Sequence, residues 1–225
     1  MKFDIITILP NFFDSFLKES LIKKALEKKL IDIRVHNLRK WALGKHQVVD
    51  DSPYGGGPGM ILKFEPFYKA VKSLRSKVQG SRSKIIFLSP RGKMFNQTMA
   101  KKWAKFDQLI FISGRYESVD ERVAEISDEV ISVGDYITLG GDVPTMSIIE
   151  CVARLVPGTV GRRDSIEKLD FPQYTRPEVV NVKSLKAKVK SQKLRIKNLR
   201  VPKVLLSGNH KLIDEWREKN AKEIR

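Results

Sequence analysis

The sequence predicts an α/β fold, a mainly parallel sheet covered by helices, and three observations carry that prediction. Short apolar runs alternate with segments of helical period along most of the chain. Glycines cluster in residues 54–60 (YGGGPGM), at Gly114 and in residues 134–141 (GDYITLGG), the last at a predicted strand end, where parallel sheets hold their ligands. With 225 residues, 41% of them hydrophobic, the chain can bury one good core and has room for a small second domain.

The elements follow in order. Residues 2–9 alternate into an apolar strand, and Phe13, Phe16, Leu17, Ile22, Ala25 and Leu26 have the spacing of one helix over 12–29. Residues 31–35 form the next strand. A long polar, glycine-rich loop leads to a helix over 66–77, a buried strand over 84–88 and a helix over 96–105. Strands over 109–113 and 129–132 flank a helix over 120–126, and a further helix covers 147–155. From Gly161 the pattern breaks into polar sequence with Pro172 and Pro177, the composition of a linker or lid. A final helix over 212–224 starts after Asn209 as its cap.

Composition narrows the function. No run approaches the ~18 apolar residues of a membrane span, and the opening MKFDIITILP lacks a small-residue cleavage site, so a cytosolic location is expected. Cys151 has no partner for an intramolecular disulfide, and His36, His46 and His210 are too scattered for a zinc cage. The formal charge of +17 and pI near 9.9 suit either a polyanion partner or a well-solvated basic surface. Distribution favours the polyanion, since residues 161–225 hold 18 basic and 8 acidic side chains, and residues 183–203 hold nine basic and no acidic ones. Neither G-x-G-x-x-G after the first strand nor G-x-x-x-x-G-K-[ST] occurs, which excludes the usual dinucleotide and P-loop signatures.

Six segments, in order, carry a resemblance: DDSPYGGGPGM (50–60), LSP (88–90), GRYESVDER (114–122), GDYITLGGDVP (134–144), PQYTRPE (172–178) and VLLSGNH (204–210). Together they resemble the bacterial tRNA (guanine-N1)-methyltransferases of the TrmD type, in the SPOUT superfamily, over nearly the whole chain. The resemblance implies a parallel sheet threaded into a deep trefoil knot, a rare exception to unknotted topology, plus a small C-terminal domain containing a helix. It implies three parts: a knotted S-adenosylmethionine-binding catalytic domain over 1–160, a linker or lid over 161–177, and a basic tRNA-binding domain over 178–225. It also implies a homodimer in which the knot of one chain holds the methyl donor and the linker and C-terminal domain of the other complete the active site.

By the same resemblance the donor's adenosine is held by Leu88, Ser89 and Pro90, by Gly114, and by Val133, Gly134, Asp135, Tyr136, Ile137, Thr138, Leu139, Gly140, Gly141 and Pro144. Glycine suits such loops because backbone groups approach a ligand with no Cβ in the way, although an isolated glycine is more often a turn residue. Tyr116 and Glu117 fall near the donor's methionine end and the reacting centre. Guanine N1 carries a proton at neutral pH and charge develops on O6, so the chemistry calls for a base and a cation. The resemblance supplies Asp164 as base, with Ser165 beside it, and Arg154 to orient guanine and stabilise O6. Asp170 is the alternative base, because the linker is shorter than the family's; Asp164 keeps the following serine but has Ile166 where the family has an aromatic. Arg154 read alone would be an exposed helix-end arginine facing the dipole. Asp50, Tyr54, Gly55 and Gly59 are assigned to the target nucleotide, though Asp50 read alone could cap a turn. Ser118, where the family has glycine, and the pair Thr138-Leu139 depart from the family pattern in the donor pocket. Magnesium accompanies the family's activity, but no carboxylate cluster here demands it. A SPOUT enzyme acting on ribose 2′-oxygen would share the knot without evident need of Asp50 and the YGGGPGM loop, and a non-catalytic RNA-binding protein would explain only the charge.

Residues 184–199 look inserted relative to the family. Leu185, Ala187 and Val189 alternate with Lys186, Lys188 and Lys190, and Leu194 and Ile196 with Lys193, Arg195 and Lys197. A hairpin folded at Ser191-Gln192 would gather Lys188, Arg195 and Lys197 on one basic face for tRNA phosphates. A helix carrying Leu185, Val189, Ile196 and Leu199 on one face is the rival.

Overall fold

The computed structural model describes residues 1–75, 80–161, 171–181 and 198–221. The chain divides into two compact units, residues 1–166 and 167–224. Along the first unit β1 (Lys2–Thr7) is followed by α1 (Asp14–Lys18), α2 (Ser20–Glu27), β2 (Asp32–Asn37), the two-residue strands β3 (Asp50–Asp51) and β4 (Ile61–Leu62), and α3 (Phe64–Leu74). Then come β5 (Ser83–Met94), α4 (Gln97–Trp103), β6 (Gln108–Ile112), the short β7 (Ser118–Val119), β8 (Glu129–Ser132) and α5 (Asp142–Ala153).

Five strands form one parallel sheet in the order β2-β1-β6-β5-β8. Every residue of β6 is buried, as its central place demands. Alternate residues feed two cores. Phe3, Ile5, Ile86, Leu88, Leu109 and Phe111 meet Phe13 and side chains of α2, α4 and α5 on one face, while Ile6, Ile85, Phe87, Ile110 and Ile112 meet Phe67, Ala70 and Val71 of α3 on the other. Each such side chain, removed from water, contributes roughly 1.5–3 kcal/mol. The smaller sheet β3-β4-β7 sits beside these strands and ties residues 50–62 to the segment after β6 through Ile61↔Ser118 and Leu62↔Val119.

Several elements differ from expectation for identifiable reasons. The helix expected over 12–29 is a 3-10 turn (Pro10–Phe13), α1 and α2, broken at extended Glu19 and left-handed Ser20 (φ 55°). Phe13, Phe16 and Leu17 each precede Ile22, Ala25 and Leu26 by nine residues, about two and a half helical turns. One straight helix would send the two triplets to opposite faces; the break turns both onto the same core. The strand expected over 84–88 runs on to Met94 through an irregularity in which both Leu88 and Lys93 pair with Ile131, which accommodates Pro90. The helix expected from Ser147 starts at Asp142, because Pro144 is tolerated in a first turn. The helix expected over 120–126 is a 3-10 helix (Glu121–Ile126) capped by Asp120, whose carboxylate accepts from the Arg122 amide at 3.0 Å.

In the second unit β9 (Val179–Asn181) pairs antiparallel with β10 (Asn198–Arg200), followed by α6 (Lys203–Leu206) and α7 (His210–Asn220). Asn209 caps α7 as expected, accepting from the Leu212 amide at 3.3 Å. Tyr174 packs on Trp216 and the Arg217 guanidinium sits over the Phe171 ring, at 6.3 and 5.5 Å between centres. The hairpin over 184–199 lies almost wholly outside the described residues. Its turn at Ser191-Gln192, in an uninterrupted ladder, would pair Asn198 with Leu185, whereas Asn198 pairs with Asn181. Leu199 lies in β10, so the rival helix does not extend to it. Among the described residues no helix is long and apolar enough to cross a membrane.

Candidate active site

The irregular stretch of β5 and the loops after β6 and β8 converge on a cavity of about 480 Å³, within the roughly 300–1,000 Å³ usual for small-molecule sites. Leu88, Ser89 and Pro90 come from β5, and Gly114, Tyr116 and Glu117 from the loop after β6. Val133, Tyr136, Ile137, Thr138, Gly140 and Gly141 come from the segment after β8, and Pro144 from the first turn of α5. Most residues expected to hold the donor therefore share one wall, although they are scattered over more than fifty positions of the chain. Gly134, Asp135 and Leu139 lie in the same segment without lining the cavity: the Tyr136 ring lies over Gly134, and Leu139 points outward at 92% exposure. Tyr116 holds a left-handed backbone (φ 62°), strain of the kind that collects at functional sites.

Packing within the protein gives the glycine pair a reason of its own. The Gly141 amide donates to the Gly114 carbonyl at 2.9 Å, and a Cβ at Gly141 would stand 3.0 Å from Ser113 Cα and 3.2 Å from Leu88 Cβ. A Cβ at Gly140 would stand 2.6 Å from Arg115 Cδ. Glycine is needed because the start of α5 is pressed against the ends of β5 and β6.

That contact is clamped by a buried polar network the sequence reading missed. Asp142, fully buried at the first residue of α5, accepts from Arg115 Nε at 2.6 Å and from Thr7 Oγ1 at 2.8 Å. Arg115 also donates to the Leu139 carbonyl at 3.4 Å and lies over the Phe12 ring at 4.9 Å. Ser113 Oγ and Thr145 Oγ1 are 2.7 Å apart beneath it. A carboxylate in the first turn also faces the positive end of the helix dipole. Arg115 and Asp142 stand inside the GRYESVDER and GDYITLGGDVP motifs, so their signal was adjacency to the glycines they brace.

A larger groove of about 1,140 Å³ adjoins the cavity and shares Arg91, Ser118 and Val119 with it. Its walls carry Trp41, Tyr54 and Phe64, with Tyr54 fully exposed. Each of its cations faces a carboxylate: Arg91 Glu121, Arg122 Asp120, and Lys63 Asp51 at 3.0 Å. Donation from Arg122 holds the Asp120 carboxyl below its usual range, and donation from Lys63 does the same for Asp51. Asp50 is half-buried in β3 and does not line the groove; Asp51 does. Gly55 and Gly59 hold left-handed backbone, φ 82° and 78°.

Within one chain, Arg154 is not brought to the cavity. It caps the far end of α5, exposed, while Gly141 at the near end lines the cavity; the helix between them spans roughly 20 Å at 1.5 Å per residue. Asp164, Ser165, Asp170, Lys188, Arg195 and Lys197 lie outside the described residues. Among the described residues no group of three or more His, Cys, Asp or Glu side chains could hold a metal ion.

A family model described as tRNA (Guanine-1)-methyltransferase TrmD matches residues 1–224. The chain is 43% identical over 228 aligned positions to the tRNA (guanine-N(1)-)-methyltransferase of Dictyoglomus turgidum, covering 98% of this chain and 85% of that protein. It is 44% identical over 226 positions to the tRNA (guanine-N(1)-)-methyltransferase of Mycoplasmopsis agalactiae, covering 97% and 90%. The match spans both units and every segment that builds the cavity: the chain belongs to the TrmD family of tRNA (guanine-1)-methyltransferases.

Proposed function

We propose that the protein transfers a methyl group from S-adenosylmethionine to N1 of the guanosine at position 37 of tRNA, beside the anticodon. The observation that carries this reading is the convergence of the LSP, GRYE and GDYITLGG segments on one cavity of small-molecule size, in a chain whose relatives bear the name tRNA (guanine-N(1)-)-methyltransferase. The cavity suits the donor: apolar Leu88, Pro90, Val133 and Ile137 offer contacts for a purine, and backbone groups at Gly114, Gly140 and Gly141 border it. When bound, the donor supplies an electrophilic methyl group. Asp164 takes the N1 proton as the methyl arrives, with Ser165 beside it, and Arg154 donates to the O6 that gains charge.

The assembly we propose is a homodimer with two active sites at the subunit interface. Arg154 stands a helix length from the cavity of its own chain, and the cavity's rim exposes Ile137, Leu139 and Val143, apolar side chains suited to a second subunit. The threading we propose is the family's trefoil knot. Close backbone passages support it: a Cβ at Gly92 would stand 2.6 Å from Ile131 Cα, and Gly141 rests on Ser113 and Leu88. The basic second unit is assigned to tRNA, and the cytosol is the location that fits this substrate. Incubation with the donor and unmodified tRNA, followed by mass analysis of the nucleosides, should give N1-methylguanosine. Methylation of a ribose 2′-oxygen, or none, would reject the reading.

A further inference from the structure

We infer that Gly59, in the glycine-rich loop, is a positioning residue that seats the carboxylate of Glu117; this rests on the proposal that Glu117 serves at the reacting centre. Glu117 lines the donor cavity, and its side chain leans across the loop onto the bare α-carbon of Gly59. A Cβ there would collide with Glu117 Cγ and stand 2.8 Å from Oε1 and 3.0 Å from Cδ. The two backbones are also tied. The Glu117 amide donates to the Met60 carbonyl at 3.3 Å, and β4 and β7 pair directly beyond it. The other loop glycines differ: Gly55 and Gly56 have nothing within 4 Å of a Cβ, and Gly57 meets only Pro53 Cγ at 4.0 Å. All four hold positive φ, so backbone conformation accounts for glycine at each, but only at Gly59 does the missing side chain leave room for a carboxylate.

The consequence is mechanical. The loop that carries Tyr54 and Gly55 touches the Glu117 side chain at the donor cavity through Gly59, so the placement of the loop sets that of the carboxylate. Because the group displaced by a Cβ is a flexible side chain, a methyl at Gly59 shifts Glu117 and leaves the fold standing. Misplacement by about 1 Å can cost on the order of 100-fold in a chemical step.

The test measures single-turnover methylation of tRNA at saturating donor. Gly59→Ala and Gly59→Asn should each lose on the order of 10- to 100-fold; asparagine tolerates left-handed backbone, so its loss reports the side chain and not strain. Gly80→Ala, at φ 82° with open space around it, carries the same backbone cost and should keep the wild-type rate. Glu117→Gln should be impaired, Gly59→Ala combined with Glu117→Gln no worse than Glu117→Gln alone, and Gly59→Ala combined with the shorter Glu117→Asp faster than Gly59→Ala. Wild-type rates in both Gly59 variants, or a loss that multiplies with that of Glu117→Gln, would overturn the inference. A wild-type rate in Glu117→Gln would instead remove the underlying role of Glu117, a separate failure.

Discussion

Two fully buried aspartates sit along the central strands, Asp4 within β1 and Asp142 against the end of β1 at Thr7. Asp4 accepts from His36 and Gln108, each at 2.7 Å, and pairs with Lys2 at 2.9 Å, while Gln108 also donates to the Leu74 carbonyl that ends α3. Burial pushes the Asp4 carboxyl up, but these hydrogen bonds more than offset it and hold the group below its usual range. Asp142 has fewer partners, and they lead elsewhere: Arg115 forms part of the cavity wall and grips the loop at Leu139. The same chemistry ties strands and a helix together in one place and shapes a cavity wall in the other. What separates cohesion from function is where the partner's remaining surface lies.

That contrast can be broken at several points. The greatest loss is expected at the proposed base: Asp164→Asn should bind the donor normally and lose on the order of 10²–10⁴-fold in turnover. Full turnover in Asp164→Asn with loss in Asp170→Asn would move the base to Asp170. Next come the two buried aspartates, since removing one partner of a buried charge pair costs about 3–5 kcal/mol. Asp4→Ala and Asp142→Ala should lower the urea midpoint comparably, yet calorimetric titration should find weakened donor binding only in Asp142→Ala. Equal donor affinities in the two would dissolve the distinction. Arg154→Ala should slow the chemical step by ~100-fold with donor affinity intact, and an unchanged single-turnover rate would return it to a helix-end role. Acid probes the cluster around Asp4 directly. A carboxyl held below its unfolded value adds stability above that value, near pH 3.9, and loses it as pH falls through the folded one. Asp4→Asn should therefore flatten the fall in melting temperature below about pH 4. The smallest effect belongs to the basic segment: replacing Lys188, Arg195 and Lys197 by glutamine should weaken tRNA binding and lower its salt slope by about one unit or less per lost contact. Wild-type affinity and slope would make the segment a solvated insertion.

The sequence carried the strands well because both faces of the sheet are apolar, and β8 lies where the apolar run predicted it. The motifs that carry the family resemblance gathered residues that line one cavity, and the glycines among them mark close backbone approach, at Gly141 to Ser113 and Leu88. The break at Ser20 is hidden because each apolar triplet has helical spacing on its own, and only their phase, nine residues apart and so on opposite faces of a straight helix, betrays it. Strands of two residues, such as β3, β4 and β7, carry no periodicity to read. The Arg115–Asp142 pair was invisible for another reason. Partners 27 positions apart meet only after β8 and α5 return to the end of β6.

The strand order has a consequence for how the chain is made. β1 pairs early with β2, its near neighbour in sequence, but its other edge waits for β6, which brings Gln108 opposite Lys2. During synthesis the apolar β1 therefore emerges with one row of amides and carbonyls unmatched until about half of the chain has left the ribosome. Long-range parallel pairing of this kind is slow and leaves an edge exposed to other chains. Pulse-labelled nascent chains stopped before β6 should bind a chaperone that recognises extended apolar segments, and chains that include β6 should release it.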